Sequence, residues 1–230
     1  MKIHGLQKMT LLDYPGKIAC TVFLGGCDFR CPFCHNWEII DGSEPAIMND
    51  VELIRWLEGR KNLLEGVAVT GGEPMLRRDL PEFLREIREL GYPVKCDTNG
   101  NHPDMLEKCL RENLVDYVAM DIKNSKERYG ETIGLPGFDT SNVERSVKLL
   151  LESEIAYEFR TTVTEGMFEA SDFEKIGRWI EGAQHYYLQA FTDRDTVPVK
   201  GLKAPKPSEM RAFSEIVRPF VKHAGLRGID

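Results

Sequence analysis

With 230 residues, 42% of them hydrophobic and 29% charged, the chain has an ordinary soluble composition and is long enough to bury a substantial core. Its net charge of −7 argues against a grip on nucleic acid through overall basicity, and no apolar run approaches the roughly 20 residues that span a bilayer. The opening Met1-Lys2-Ile3-His4-Gly5-Leu6-Gln7 lacks the apolar stretch of an export signal, so the six cysteines are expected as cytoplasmic thiols or metal ligands, not disulfides.

In chain order, residues 1–16 read as a short extension closed by the turn formers Asp13-Tyr14-Pro15-Gly16. Residues 17–24 form a nearly continuous apolar run, as in a strand buried on both faces, and Gly25-Gly26 ends it. Asn49 or Asp50 can cap a helix carrying Val51, Ile54 and Leu57. A strand over 66–70 stops at Gly71-Gly72, and Asp79 opens a helix with Leu80, Phe83, Leu84, Ile87 and Leu90 on one face, ended by Gly91. A third strand over 93–97 leads to a helix over 103–113, and a fourth strand occupies 117–121. Residues 124–138 hold Gly130, Gly134, Pro136 and Gly137 and read as an irregular, mobile loop.

Val143, Val147, Leu150 and Leu151 mark the next helix, and 155–163 the fifth strand. Ser171-Asp172-Phe173-Glu174 has the form of a capping box before Ile176, Trp179 and Ile180. The sixth strand covers 185–191, and Ser208 can cap a last helix that Pro219 breaks. Six strand–helix alternations make a parallel sheet with helices outside it the economical architecture, coiled toward a barrel by right-handed crossovers. One domain is expected, with 17–200 as its core and 201–230 as a C-terminal helical region.

Chemistry gathers in one loop, Gly25-Gly26-Cys27-Asp28-Phe29-Arg30-Cys31-Pro32-Phe33-Cys34-His35-Asn36. Its cysteines follow C-x3-C-x2-C, and three thiolates are soft ligands suited to iron–sulfur clusters, zinc or copper(I). Three are one fewer than a closed structural site takes, so a cluster held by them keeps one iron open. Cys31-Pro32-Phe33-Cys34-His35 also matches the c-type haem pattern, but that leaves Cys27 unexplained and normally needs export. Zinc with His35 as fourth ligand asks adjacent residues to bind one tetrahedral ion. A thioredoxin-like dithiol needs only two of the three cysteines. Further marked residues fall at strand ends, where parallel α/β folds build their sites: Gly71-Gly72-Glu73, Asp97-Thr98-Asn99 and Asp121-Ile122-Lys123. Cys20, Cys96 and Cys109 read as core, Trp56 and Trp179 as helix packing, and His102 and His223 as solvent-facing.

The cysteine pattern, with Phe33 before its third cysteine, resembles the signature of the radical S-adenosylmethionine (SAM) superfamily. The longer stretch from Leu11-Leu12-Asp13-Tyr14-Pro15-Gly16-Lys17 to Asn36 resembles the activating enzymes of glycyl-radical enzymes, and most of all those serving anaerobic ribonucleoside-triphosphate reductase. That resemblance implies a partial (β/α)6 barrel, one [4Fe–4S] cluster on Cys27, Cys31 and Cys34, and SAM on the open iron. It implies reductive cleavage of SAM to a 5′-deoxyadenosyl radical that takes hydrogen from a glycine of the partner enzyme.

On the same grounds Gly71, Gly72 and Glu73 would hold the SAM amino group, with Phe33 beside the cluster. Asp97 and Thr98 would serve the ribose or a monovalent cation, with Asp121 as a second cation ligand and Lys123 in the same motif. Asp97 and Thr98 read equally well as caps of the following turn. Arg160 matches a SAM-contacting arginine, and Gln189 stands where some relatives have histidine. A flavodoxin or ferredoxin-type protein would donate the electron. Another glycyl-radical enzyme of the pyruvate formate-lyase kind, or a small molecule, is the alternative substrate, and a non-catalytic metal-binding module the alternative class.

Overall fold

A computed structural model describes residues 1–229; Asp230, the end of the expected C-terminal region, lies outside them. Two compact units are distinguished. The first joins Met1–Asp28, Asn36–Thr98 and His102–Val118, and the second joins Phe29–His35, Asn99–Asn101 and the described chain from Ala119 onward.

The first unit opens with a strand where an extension was expected: β1 (Lys2–Thr10) runs antiparallel to β2 (Ala19–Leu24), with Ile3 opposite Leu24 and Thr10 opposite Ala19. Lys2, His4, Gln7 and Lys8 give β1 no apolar run, and of its residues only Ile3 and Thr10 are buried. Backbone pairing with β2 makes it a strand, and its lysines suit a sheet margin. A short helix α1 (Trp37–Asp41) follows the cysteine loop, and β3 (Met48–Asn49) pairs with β1 for two residues. Helix α2 (Asp50–Glu58) is capped by Asn49, whose side chain accepts from the Glu52 amide at 3.0 Å while Glu52 accepts from the Asn49 amide at 2.8 Å.

Strand β2 is buried at every residue but Phe23, as its composition requires, and pairs in parallel with β4 (Gly66–Gly71), placing Leu24 opposite Gly71. Helix α3 (Leu80–Glu89) buries Leu80, Phe83, Leu84 and Ile87. Strand β5 (Val94–Thr98), parallel to β4, and helix α4 (Pro103–Arg111) follow. The chain passes between units within β6 (Tyr117–Asp121).

In the second unit the stretch expected to be irregular is ordered. A 3-10 turn at Lys126–Arg128 runs into α5 (Tyr129–Thr132), where buried Asn124 donates to the Thr132 hydroxyl at 2.8 Å. Helix α6 (Ser141–Leu151), β7 (Ala156–Val163), α7 (Ala170–Trp179) and β8 (Tyr186–Ala190) follow, with β7 and β8 parallel. Helix α7 starts one residue before Ser171, and its capping box is Glu169 with Asp172. Buried Asp172 also accepts from the Ser125 hydroxyl and the Arg128 guanidinium, both at 2.7 Å, which fixes where the helix begins. Helix α8 (Pro207–Val217) begins after Lys206, not at a Ser208 cap, and gives way to a 3-10 turn at Pro219.

A last strand, β9 (Ala224–Arg227), then pairs in parallel with β8. Four residues with two small ones carry no strand signal; a charged side chain anchors them. Arg227 makes two bonds, of 2.7 and 2.8 Å, to the buried Glu158 carboxylate and lies 3.7 Å from the Tyr187 ring centre. The strands follow the order β3-β1-β2-β4-β5-β6-β7-β8-β9 in a mostly parallel sheet that does not close. Among the described residues no helix is long and apolar enough to cross a membrane. Replacing Arg227 with Met strips buried Glu158 of its bidentate partner and should cost about 3 kcal/mol in urea unfolding. The same change at exposed Arg211 should stay within about 0.5 kcal/mol.

Candidate cofactor site

In the first unit the end of β4 lies against the chain leading to Cys27. The Gly72 amide donates to Leu24 O and the Glu73 amide to Gly26 O, each at 2.8 Å. A Cβ on Gly72 would stand 1.9 Å from Gly26 O and 3.3 Å from Cys27 Cβ, so no side chain fits there. Asn36, two residues after Cys34, donates its side-chain amide to Gly71 O at 2.6 Å and ties the far end of the loop to the same strand end.

Glu73 is fully buried, which a carboxylate tolerates only with donors around it. Its Oε1 accepts from the Thr98 hydroxyl at 2.8 Å and from the Met75 amide at 2.9 Å, bringing the ends of β4 and β5 together. Asp97 turns to buried Lys95. His102, expected in solvent, is half-buried, with Nε2 3.0 Å from Asp28 Oδ2, the residue after Cys27. Hydrogen bonding to Asp28 pushes the imidazole pKa up, against desolvation.

In the second unit Cys31 and Phe33 are buried and Cys34 is half-exposed. Burial pushes the Cys31 thiol up to about 11, opposed by the positive charge of Lys123. Lys123 Nζ bonds Asp121 at 2.9 Å and lies 6.0 Å from the Phe33 ring centre, and Arg160 Nε bonds the other Asp121 oxygen at 2.6 Å. Burial alone would raise the Asp121 carboxyl, but Arg160 and Lys123 outweigh it and hold it well below the usual carboxylate range. Asp121 and Lys123, from one marked stretch, and Arg160, from another, thus form one cluster. Gln189 on β8 accepts from Arg227 at 3.3 Å. The His35 ring stacks on Phe191, centres 5.5 Å apart, and its Nε2 lies 2.6 Å from Thr192 O.

Lys95, Asn36 and Arg227 went unnoticed in the sequence. Asn36 had a signal, its place directly behind the cysteine pattern. A lysine within a strand and an arginine on a four-residue strand had none.

Residues 21–180 match the model of the radical SAM superfamily, and the chain belongs to that superfamily. A Methanocaldococcus jannaschii protein, provisionally named a glycyl-radical enzyme activating enzyme, is 29% identical over 99% of this chain and 96% of its own length. The pyruvate formate-lyase-activating enzyme of Listeria monocytogenes is 35% identical over 132 residues, 53% of each chain, so the match spans about half of that relative. Streptococcus suis SuiB bound to S-adenosylmethionine shares the fold at a TM-score of 0.66 and 14% identity, over 90% of this chain and 52% of SuiB.

The superfamily implies a [4Fe–4S] cluster and SAM, and the residues present fit both. Cys27, Cys31 and Cys34 fall within eight residues of sequence, and Cys27 and Cys34 are partly exposed, while the other three cysteines are wholly buried in the core. Among the described residues no three His, Cys, Asp or Glu side chains crowd together as ligands of one metal ion; cluster cysteines each hold a different iron. The backbone approach at Gly72 and the buried Glu73 carboxylate suit a cationic amino group.

Because the folded pKa of His102 is raised, its pairing with Asp28 stabilises the chain fully below the free-imidazole pKa of about 6.5 and fades as pH climbs through the folded value. The stability difference between wild type and His102→Gln, measured by urea unfolding of the cluster-free chain, should therefore be larger at low pH than at high pH.

Proposed function

We propose that this chain is a radical SAM activase that abstracts a hydrogen atom from a glycine of a partner glycyl-radical enzyme. The observation that carries the reading is the three-cysteine loop, with Gly71-Gly72-Glu73 packed by backbone against its first end. The name and full-length match of the M. jannaschii relative point the same way.

Cys27, Cys31 and Cys34 would hold the cluster, whose binding requires their deprotonation. When bound, the reduced cluster supplies one electron that splits the sulfonium C–S bond of SAM into methionine and a 5′-deoxyadenosyl radical. The chain's own residues position the parts. Glu73, whose Oε1 accepts from Thr98 and Met75, would accept a hydrogen bond from the SAM amino group. Lys123 and Arg160 offer charge to the SAM carboxylate, with Asp121 fixing both. Phe33 would wall the cluster, and Asp97, Thr98 and Gln189 would meet the nucleoside part. A monovalent cation at Asp97, Thr98 and Asp121 would have to displace Lys95 from the first carboxylate and share the other with Arg160 and Lys123.

The partner on this reading is anaerobic ribonucleotide reductase, with a flavodoxin or ferredoxin-type donor in a reducing cytoplasm. An activase for a pyruvate formate-lyase type of enzyme is the second reading, favoured by the Listeria relative. Anaerobic reconstitution with iron and sulfide, then dithionite and SAM, tests the chemistry. Wild type should release 5′-deoxyadenosine, and Cys31→Ala should fall to background. Each candidate partner is then added, and a glycyl-radical EPR signal identifies the one activated. Wild type that holds iron but cleaves no SAM would refute the catalytic reading.

A further inference from the structure

The cysteine loop is gripped in its middle by a segment the cofactor reading does not use. Phe29, two residues after Cys27, is buried and meets two rings edge-on: Tyr129 at 6.3 Å and 76°, and Phe138 at 5.3 Å and 86°. Those two rings stack on each other at 5.8 Å and 19°, and Trp179 of α7 closes on Tyr129 from a further side at 6.0 Å. Such offset and edge-on packing fixes ring positions more tightly than aliphatic contact does.

The next residue is held by its backbone. The Arg30 amide donates to Ile133 O at 2.9 Å, and a Cβ on Gly134, whose φ is +73°, would lie 2.6 Å from Arg30 O. Arg30 is therefore pinned on both sides of its peptide, directly before Cys31. The grip has a firm base, since Asn124, Ser125 and Thr132 are buried and bonded, and Asp172 takes both Ser125 and Arg128.

We propose that residues 125–138 are a clamp on the cysteine loop, in which Gly134, Phe29 and Tyr129 are positioning residues that fix Cys31. The inference rests on the reading of Cys31 as a cluster ligand, but its physical core, the grip on Arg30, stands apart from it. A thiolate held in place before iron arrives loses less freedom on binding, so the clamp should slow cluster loss.

Two glycines in the clamp allow a matched test. Gly137 has φ +78°, and a Cβ there would meet nothing within 4 Å, so Gly134→Ala and Gly137→Ala carry the same backbone penalty and only the first strikes Arg30. In the full chain without cluster, the Arg30 amide should exchange with solvent about tenfold faster in Gly134→Ala than in Gly137→Ala. After reconstitution, Gly134→Ala should lose iron to a chelator several-fold faster, with a shifted cluster reduction potential. Tyr129→Leu should move the same readings, and Tyr129→Phe, which keeps the ring, should restore them.

Equal exchange in the two glycine variants would overturn the proposal. So would faster exchange with cluster loss and potential both matching Gly137→Ala, because the grip would then be structural only. If wild type takes up no cluster, the cofactor reading fails by itself, and the exchange comparison still decides the grip.

Discussion

The contact between two strand ends in the first unit governs what that unit can do. Parallel pairing sets Leu24 opposite Gly71, so β2 and β4 finish at the same level and their outgoing chains must pass each other. That passage is possible because Gly72 offers no side chain at a point 1.9 Å from Gly26 O. Backbone hydrogen bonds from Gly72 and Glu73 then fix the approach, and Asn36 adds a third at Gly71 O. Three separate stretches of sequence are thus joined, by the main-chain amides of Gly72 and Glu73 and by the side-chain amide of Asn36.

The second unit handles charge in a different way. Asp121 ends β6, Lys123 follows it and Arg160 lies within β7, and each ion is stabilised by an opposite one at 2.6–2.9 Å. The Asp121 carboxylate thus lies between two cations, all three fixed in place before any ligand arrives. Pre-set charge of this kind costs no reorganisation at the moment of reaction. Glu158 and Arg227 repeat the principle further along the same face, where Gln189 joins them.

Legibility in the sequence followed from what holds each element. Strands that bury continuous apolar runs, such as β2 and β4, declared themselves, and so did α3 with its repeating Leu80, Phe83, Leu84 and Ile87. β1 and β9 did not, because backbone pairing and one ion pair make them strands. The start of α7 was misjudged since Asp172 answers to Ser125 and Arg128, partners more than forty residues away. In the candidate site, the cysteine pattern stood out by its spacing, and the Gly-Gly-Glu motif by its resemblance to the superfamily's motif at a strand end. That Asp97 would turn to Lys95, and His102 to Asp28, depended on which neighbours the fold supplies. The glycines of 124–138 pointed to mobility, yet Gly134 permits a close contact that orders the segment.

The ion pair that secures β9 also sets an order of events during synthesis. Glu158 leaves the ribosome 69 residues ahead of Arg227, its bidentate partner. Until then that pair cannot form, and the edge of β8 that takes β9 stands open. Pairing of β9 with β8 is therefore a late step in the assembly of the second unit, behind every strand that precedes it in the chain.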